Sequence, residues 1–135
     1  MPTPFHHTSL ELTAEHCLVY TAISKHYFFC RMFISKYVLE QHKIPLNPYM
    51  ILDYFLLDTV NQDLIREANN NLVKRSDELW VFGPVSDGVL AEIKIAKQAK
   101  KPIRYFKIKK YNDMIPLTQK EIEMEEDVKE YRNEL

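Results

Sequence analysis

Short, apolar, β-rich runs alternate along this chain with longer segments of helical periodicity, and that alternation restricts its fold more than any other feature. "CLVYTAI" (Cys17 to Ile23) reads as a strand, and the stretch from His26 to His42 as a helix buried on most sides. "KIPLNPY" offers a brief second strand closed by two prolines, and "MILDYFLLD" an apolar, aromatic connector with room for a short helix. At Thr59 a capping box predicts a helix to about Ser76: the Thr59 hydroxyl can accept from the Gln62 N–H while Gln62 reaches back. Val60, Leu64, Ala68 and Leu72 then follow at i, i+4 spacing. "ELWVFG" is a third strand, Ser86 to Lys100 a third long helix and "PIRYFKI" a fourth strand.

This order predicts an α/β fold, a Rossmann-like or flavodoxin-like three-layer sandwich. Its sheet should have four to five strands, mainly parallel, with helices on both faces and right-handed crossovers. The last segment places Met124, Val128, Tyr131 and Leu135 at helical spacing and reads as an amphipathic helix, packed on its own domain or on a neighbouring subunit. The expected limits are an N-terminal extension over 1–16, the α/β domain over 17–110 and the C-terminal helix over 111–135.

At 135 residues, 46% hydrophobic and a formal net charge of -1, the chain suits one soluble core. Arg31 and Lys36 break "HYFFCRMFISKYVL", so no apolar run reaches the roughly 18 residues of a membrane span. The N-terminus shows neither the basic start nor the apolar stretch of a secretory signal, and a cytoplasmic protein without a membrane partner is expected. Cys17 and Cys30 read as reduced core residues, and Tyr27, Phe28, Phe29 and Phe33 as core aromatics. Near-neutral charge argues against a nucleic-acid partner, with the basic "KQAKKPIRYFKIKK" read as a solvated helix end running into a strand. No H-E-x-x-H, C-x-x-C or G-x-S-x-G occurs, so neither a metal site, a cofactor nor a serine-hydrolase elbow is expected.

Both glycines fall inside "FGPVSDGVLAE" (Phe82 to Glu92). A G-x-G-x-x-G dinucleotide turn and a G-x-x-x-x-G-K-[ST] phosphate loop are therefore excluded. What remains is a strand-to-helix loop in which Ser86 can cap the helix and the N–H groups around Gly88 and Val89 face outward at the positive end of its dipole. Such a loop is either an anion site or a plain helix cap. At about 100° per residue, Glu92 projects within the apolar arc of Val89, Ile93, Ala96 and Ala99, and side chains on a helix lean toward its N-terminus. An acid so placed is either perturbed and available for chemistry, or paired with Arg75 or Arg104.

"SDELWVFGPVSDGVLAEIKIAKQAKKPIRYF" resembles the nucleoside 2-deoxyribosyltransferase-like superfamily, which includes 2'-deoxynucleoside 5'-monophosphate N-glycosidases. Ser86, Gly88, Glu92, Ala96, Lys101 and Pro102 match its pattern in order, well over residues 75 to 107 and more weakly over 17 to 48. The resemblance implies that Glu92 is the nucleophile at the anomeric carbon, that Ser86 contacts a 5'-phosphate with Asp87 and Gly88 beside it, and that Tyr20 lies near the sugar. It also implies a homodimer whose neighbour finishes the pocket. Two departures stand out. Asn69 occupies the place of the family's usual Asp and cannot act as a general acid or base; Asn71 comes close to the same face. The loop after the first strand holds Ser24, Lys25 and His26, with Arg31 beyond, which either hold a phosphate or face solvent. N-glycosidic cleavage or transfer on a nucleoside or nucleotide is thus one expected function, a non-catalytic nucleotide-binding or signalling module on the same fold a second, and a purely structural oligomer subunit a third.

Overall fold

A computed structural model of the chain describes residues 3–52 and 59–135. After a 3-10 turn at Thr8–Glu11, the chain forms β1 (Leu18–Ile23), a 3-10 helix (Lys25–Cys30), α1 (Arg31–Glu40), β2 (Ile44–Leu46) and a single turn, α2 (Pro48–Ile51). Then come α3 (Gln62–Arg75), β3 (Glu78–Gly83), α4 (Asp87–Gln98), β4 (Ile103–Lys109), β5 (Asp113–Leu117) and a closing 3-10 helix (Glu126–Glu134). One five-stranded sheet runs in the order β2-β1-β3-β4-β5, with β5 the antiparallel member. The architecture is the expected α/β sandwich.

The sheet is central because its middle strands are apolar on both faces. Tyr20 and Ala22 of β1 and Leu79 and Val81 of β3 pack toward Val73 of α3 and Val89, Ile93 and Ala96 of α4. Val19, Ile23, Trp80 and Phe82 turn to the opposite layer, against Cys30, Ile34 and Val38 of α1. The Phe106 ring stacks on Phe82 with centroids 4.9 Å apart and tilts against Trp80 at 5.0 Å. The parallel crossovers therefore leave β1 on one face and β3 on the other. That reversal opens a crevice at the carboxyl ends of the strands, where open α/β sheets take ligands.

Several local expectations change. The segment expected as one helix from His26 to His42 is a 3-10 helix capped by Ser24 followed by α1, because Tyr27 adopts φ -109°, ψ 17° and breaks the α geometry. On that segment Phe29 and Phe33 are exposed rather than core, and Cys17 is exposed too, leaving Cys30 as the buried thiol. Helix α3 is capped by Asn61, whose Oδ1 accepts the Asp63 N–H at 2.8 Å, in place of the capping box from Thr59. Its buried stripe is Ile65 and Val73, with Leu64 exposed, so the core face lies about one residue from the Val60–Leu72 row. Of the connector "MILDYFLLD", Met50 and Ile51 belong to α2, while Asp53 to Asp58 lie outside the described residues.

The C-terminal region contains β5 and a 3-10 helix where one amphipathic helix was expected. Met124 is committed to a parallel bridge with Val85, secured by Val85 N–H to Glu123 O and Glu125 N–H to Val85 O, each 2.8 Å. Val128 and Leu135 are buried against the α3/α4 layer, so the segment packs on its own domain; Tyr131 is exposed.

The glycines serve a different end from positive φ, which neither adopts. A Cβ on Gly83 would lie 2.5 Å from Ile122 Cδ1 and 3.6 Å from the Glu123 carbonyl, so Gly83 admits the C-terminal strap. A Cβ on Gly88 would meet nothing within 4 Å. Left-handed turns fall instead to His42 (φ 60°), Lys100 (φ 58°) and Lys110 (φ 50°).

Candidate functional site

A pocket of about 400 Å³ opens at the carboxyl edge of the sheet, between α3 and α4. Tyr20 and Ile23 of β1 form its floor, Pro48 and Tyr49 of α2 one rim, Ile65, Arg66, Asn69 and Asn70 of α3 one wall, and Gly88, Ala91, Glu92 and Ile95 of α4 the other. The sequence dictates this placement. Glu92 falls on the inward arc of α4 between Val89 and Ala96, both buried, and Asn69 stands between Ile65 and Val73 on the buried stripe of α3. Across the gap the two polar side chains share a largely apolar surround.

Glu92 is half-buried. Burial pushes its carboxyl from the ordinary 4.5 up to about 7, while the nearby Tyr20 hydroxyl favours the ionised form and partly offsets the rise. The Tyr20 hydroxyl is itself raised, first by burial and then by the negative charge of Glu92. It is fully buried and leans toward the carboxylate without a hydrogen bond of good geometry to any described atom. Asn69 Oδ1 is likewise buried and unmatched. A buried, unmatched Asn69 Oδ1 in the same pocket as that acid is unusual in a packed interior, where such groups are nearly always satisfied.

Neither arginine considered for Glu92 forms an ion pair with it. Arg104 pairs with Glu78 at 3.5 Å and lies over the Trp80 ring, and Glu78 also holds Lys43 at 3.2 Å. Among the described residues lining the pocket, Arg66 is the cation, and Asp63 holds it at 2.9 Å on the exposed side of α3.

The structure brings together Tyr20, Asn69, Gly88 and Glu92, and leaves the other expected site residues apart from them. The Ser86 hydroxyl accepts the Val89 N–H at 3.3 Å as the cap of α4, and Asp87 Oδ1 accepts the Gly88 N–H at 2.7 Å. Those donors are thus matched by the helix's own side chains, as in the plain-cap alternative. The Ser24 hydroxyl is buried beneath His26, 3.3 Å from Nδ1, and His26 Nδ1 meets Glu125 Oε2 at 3.4 Å. Both contacts fall on the same ring nitrogen, so no proton relay runs through the imidazole. Arg31 lies over the Phe28 ring and donates to the Phe28 carbonyl at 3.1 Å, away from the pocket. Asn71 is exposed and bonds the Glu67 carbonyl at 2.9 Å.

Sequence reasoning missed Tyr49, Ile65, Arg66 and Asn70. Ile65 carried a signal, since it and Asn69 are four apart on one helical face; Tyr49 carried none, because a single turn opened by Pro48 is too short to show a period. Among the described residues, no group of three or more metal-ligating side chains occurs and no helix is long and apolar enough to cross a membrane.

Residues 20–106 match the model of a protein family described as "Domain of unknown function (DUF7768)". The chain belongs to this family. The DUF7768 segment runs from Tyr20, on the pocket floor, to the core residue Phe106, and contains every described residue that lines the pocket. No curated protein matches the chain.

Proposed function

We propose that this protein cleaves or transfers the N-glycosidic bond of a nucleoside or nucleotide, with Glu92 as the nucleophile. The observation that carries the reading is the Glu92 carboxyl, half-buried on the wall of a 400 Å³ pocket at the sheet's carboxyl edge, with the Tyr20 hydroxyl beside it. The ionised carboxylate attacks C1' of the sugar, the C1'–N bond breaks and the glycosyl group is held as an ester until water or a second acceptor takes it. Tyr20 favours the carboxylate that the reaction consumes. The resemblance of residues 75 to 107 to the nucleoside 2-deoxyribosyltransferase-like superfamily supports the same assignment. Reactivity should rise with pH as Glu92 ionises, through a midpoint near 7.

A second reading is a binding module that retains the pocket without turnover, favoured by the amide of Asn69 where that superfamily uses an acid. Base release from a panel of nucleosides and nucleotides, followed by chromatography with wild type and Glu92→Gln, separates the two. Release that disappears in a folded Glu92→Gln variant supports the enzyme. A thermal shift from a nucleotide without release supports the module.

The assembly we propose is a homodimer. Met32 and Leu39 of α1 and Met50 of α2 are exposed along one groove, and Met50 adjoins Tyr49 at the pocket rim. A second copy seated there would lie next to the Tyr49 rim of the pocket.

A further inference from the structure

Resting on the glycosidase reading, the pocket also indicates which leaving group it can release. Breaking C1'–N places an electron pair on the departing nitrogen. A neutral purine or pyrimidine then leaves as an anion unless an acid protonates it, and that protonation is a step worth about 10²–10⁴ in rate. Asn69 stands opposite Glu92, and a carboxamide has no proton to give at neutral pH. Among the described residues lining the pocket, Glu92 is the one carboxyl group, and its charge has no ion-pair partner.

A substrate whose glycosidic nitrogen is already positive removes both difficulties. Its charge compensates the ionised Glu92 in an apolar surround, and its aromatic ring can lie against the Tyr49 rim. Asn69 Oδ1, buried and unmatched, calls for an N–H donor from the ligand.

We propose that the pocket takes a nucleoside or nucleotide whose base is joined to C1' through a cationic aromatic nitrogen and carries an amide or amine N–H for Asn69. A Glu92 carboxylate oxygen bonds to C1' as the C1'–N bond breaks, and the electron pair neutralises the ring nitrogen, so the base departs without a proton. Water then displaces Glu92 from C1', giving the free sugar and one proton to solvent.

Two kinds of base share this chemistry: a pyridinium carboxamide and an N7-alkylated purine. The test measures base release by wild type from nicotinamide riboside, nicotinamide mononucleotide and 7-methylguanosine, beside adenosine, guanosine, uridine and their deoxy forms. Each rate is divided by that substrate's uncatalysed rate. Cationic substrates should be favoured by at least about 100-fold, and Asn69→Asp should raise the neutral-to-cationic ratio by at least about tenfold. Preference for the pyridinium or for the purine identifies the source. Equal acceleration of neutral substrates, abolished by Glu92→Gln, overturns this inference and leaves the glycosidase standing. No release from any substrate by folded wild type overturns both. If Asn69→Asp fails to fold, the wild-type comparison decides alone.

Discussion

Glu92 carries a cost in the fold that can be measured without knowing the substrate. Its carboxyl has an ordinary value of 4.5 and sits near 7 in place, so the native state holds that proton more tightly than the unfolded chain. Stability from this group is therefore present at low pH and lost as pH rises from about 4.5 through about 7. The loss should total roughly 3 kcal/mol, and Glu92→Gln removes it. Urea denaturation should show the variant near wild type at pH 4.5 and more stable by up to that amount at pH 8; equal stability at both would place the carboxyl in water. Gly88 makes a second residue-scale case. It lines the pocket and a side chain there meets no neighbour, so Gly88→Ala should gain a few tenths to about 1 kcal/mol. Gly88→Leu should stay folded yet cut base release by at least about tenfold, by displacing the sugar from Glu92. Its melting temperature and turnover, taken together, check this.

Among the elements, the C-terminal strap depends on one missing methyl group. Gly83→Ala sets a Cβ 2.5 Å from Ile122 Cδ1, and the buried Ile122 must yield before the Val85–Met124 bridge can close. A loss of about 1–3 kcal/mol is expected in chemical denaturation, with Ile122→Val recovering part of it. The strands that form the sheet's centre were legible because β1 and β3 are apolar on both faces. The strand β5 was not: "DMIPL" is a short edge with a proline, and the turn that leads into it passes through a left-handed Lys110 without glycine. The last segment has a helical period, yet Glu123 and Glu125 hydrogen-bond the backbone of Val85 on either side of Met124 and hold the chain extended there. In α3 the i, i+4 row through Leu64 was readable, but whether the core lay on that row or beside it depended on where α4 packs.

For the whole molecule, the order β2-β1-β3-β4-β5 decides where chemistry can occur, since the reversal between β1 and β3 opens the carboxyl edge. The part of the site made by one helix face, Glu92 and Gly88, was visible in the sequence. Tyr49, Arg66 and Asn70 gather there only through tertiary packing, and the helix-cap role of Ser86 was decided by geometry that the motif left open. The proposed dimer belongs to this scale: sedimentation should show two copies, and Met32→Lys with Leu39→Lys should give a folded monomer with weakened turnover. A wild-type monomer at all concentrations would remove it.

The inward acid is the premise shared by the pocket, the reaction and the choice of leaving group, and carbon-13 NMR of the Glu92 side-chain carboxyl reports it directly. The resonance, assigned by its loss in Glu92→Gln, should titrate with a midpoint near 7. Tyr20→Phe should move that midpoint upward, because the hydroxyl favours the ionised form. A midpoint near 4.5, unmoved by Tyr20→Phe, would contradict the account.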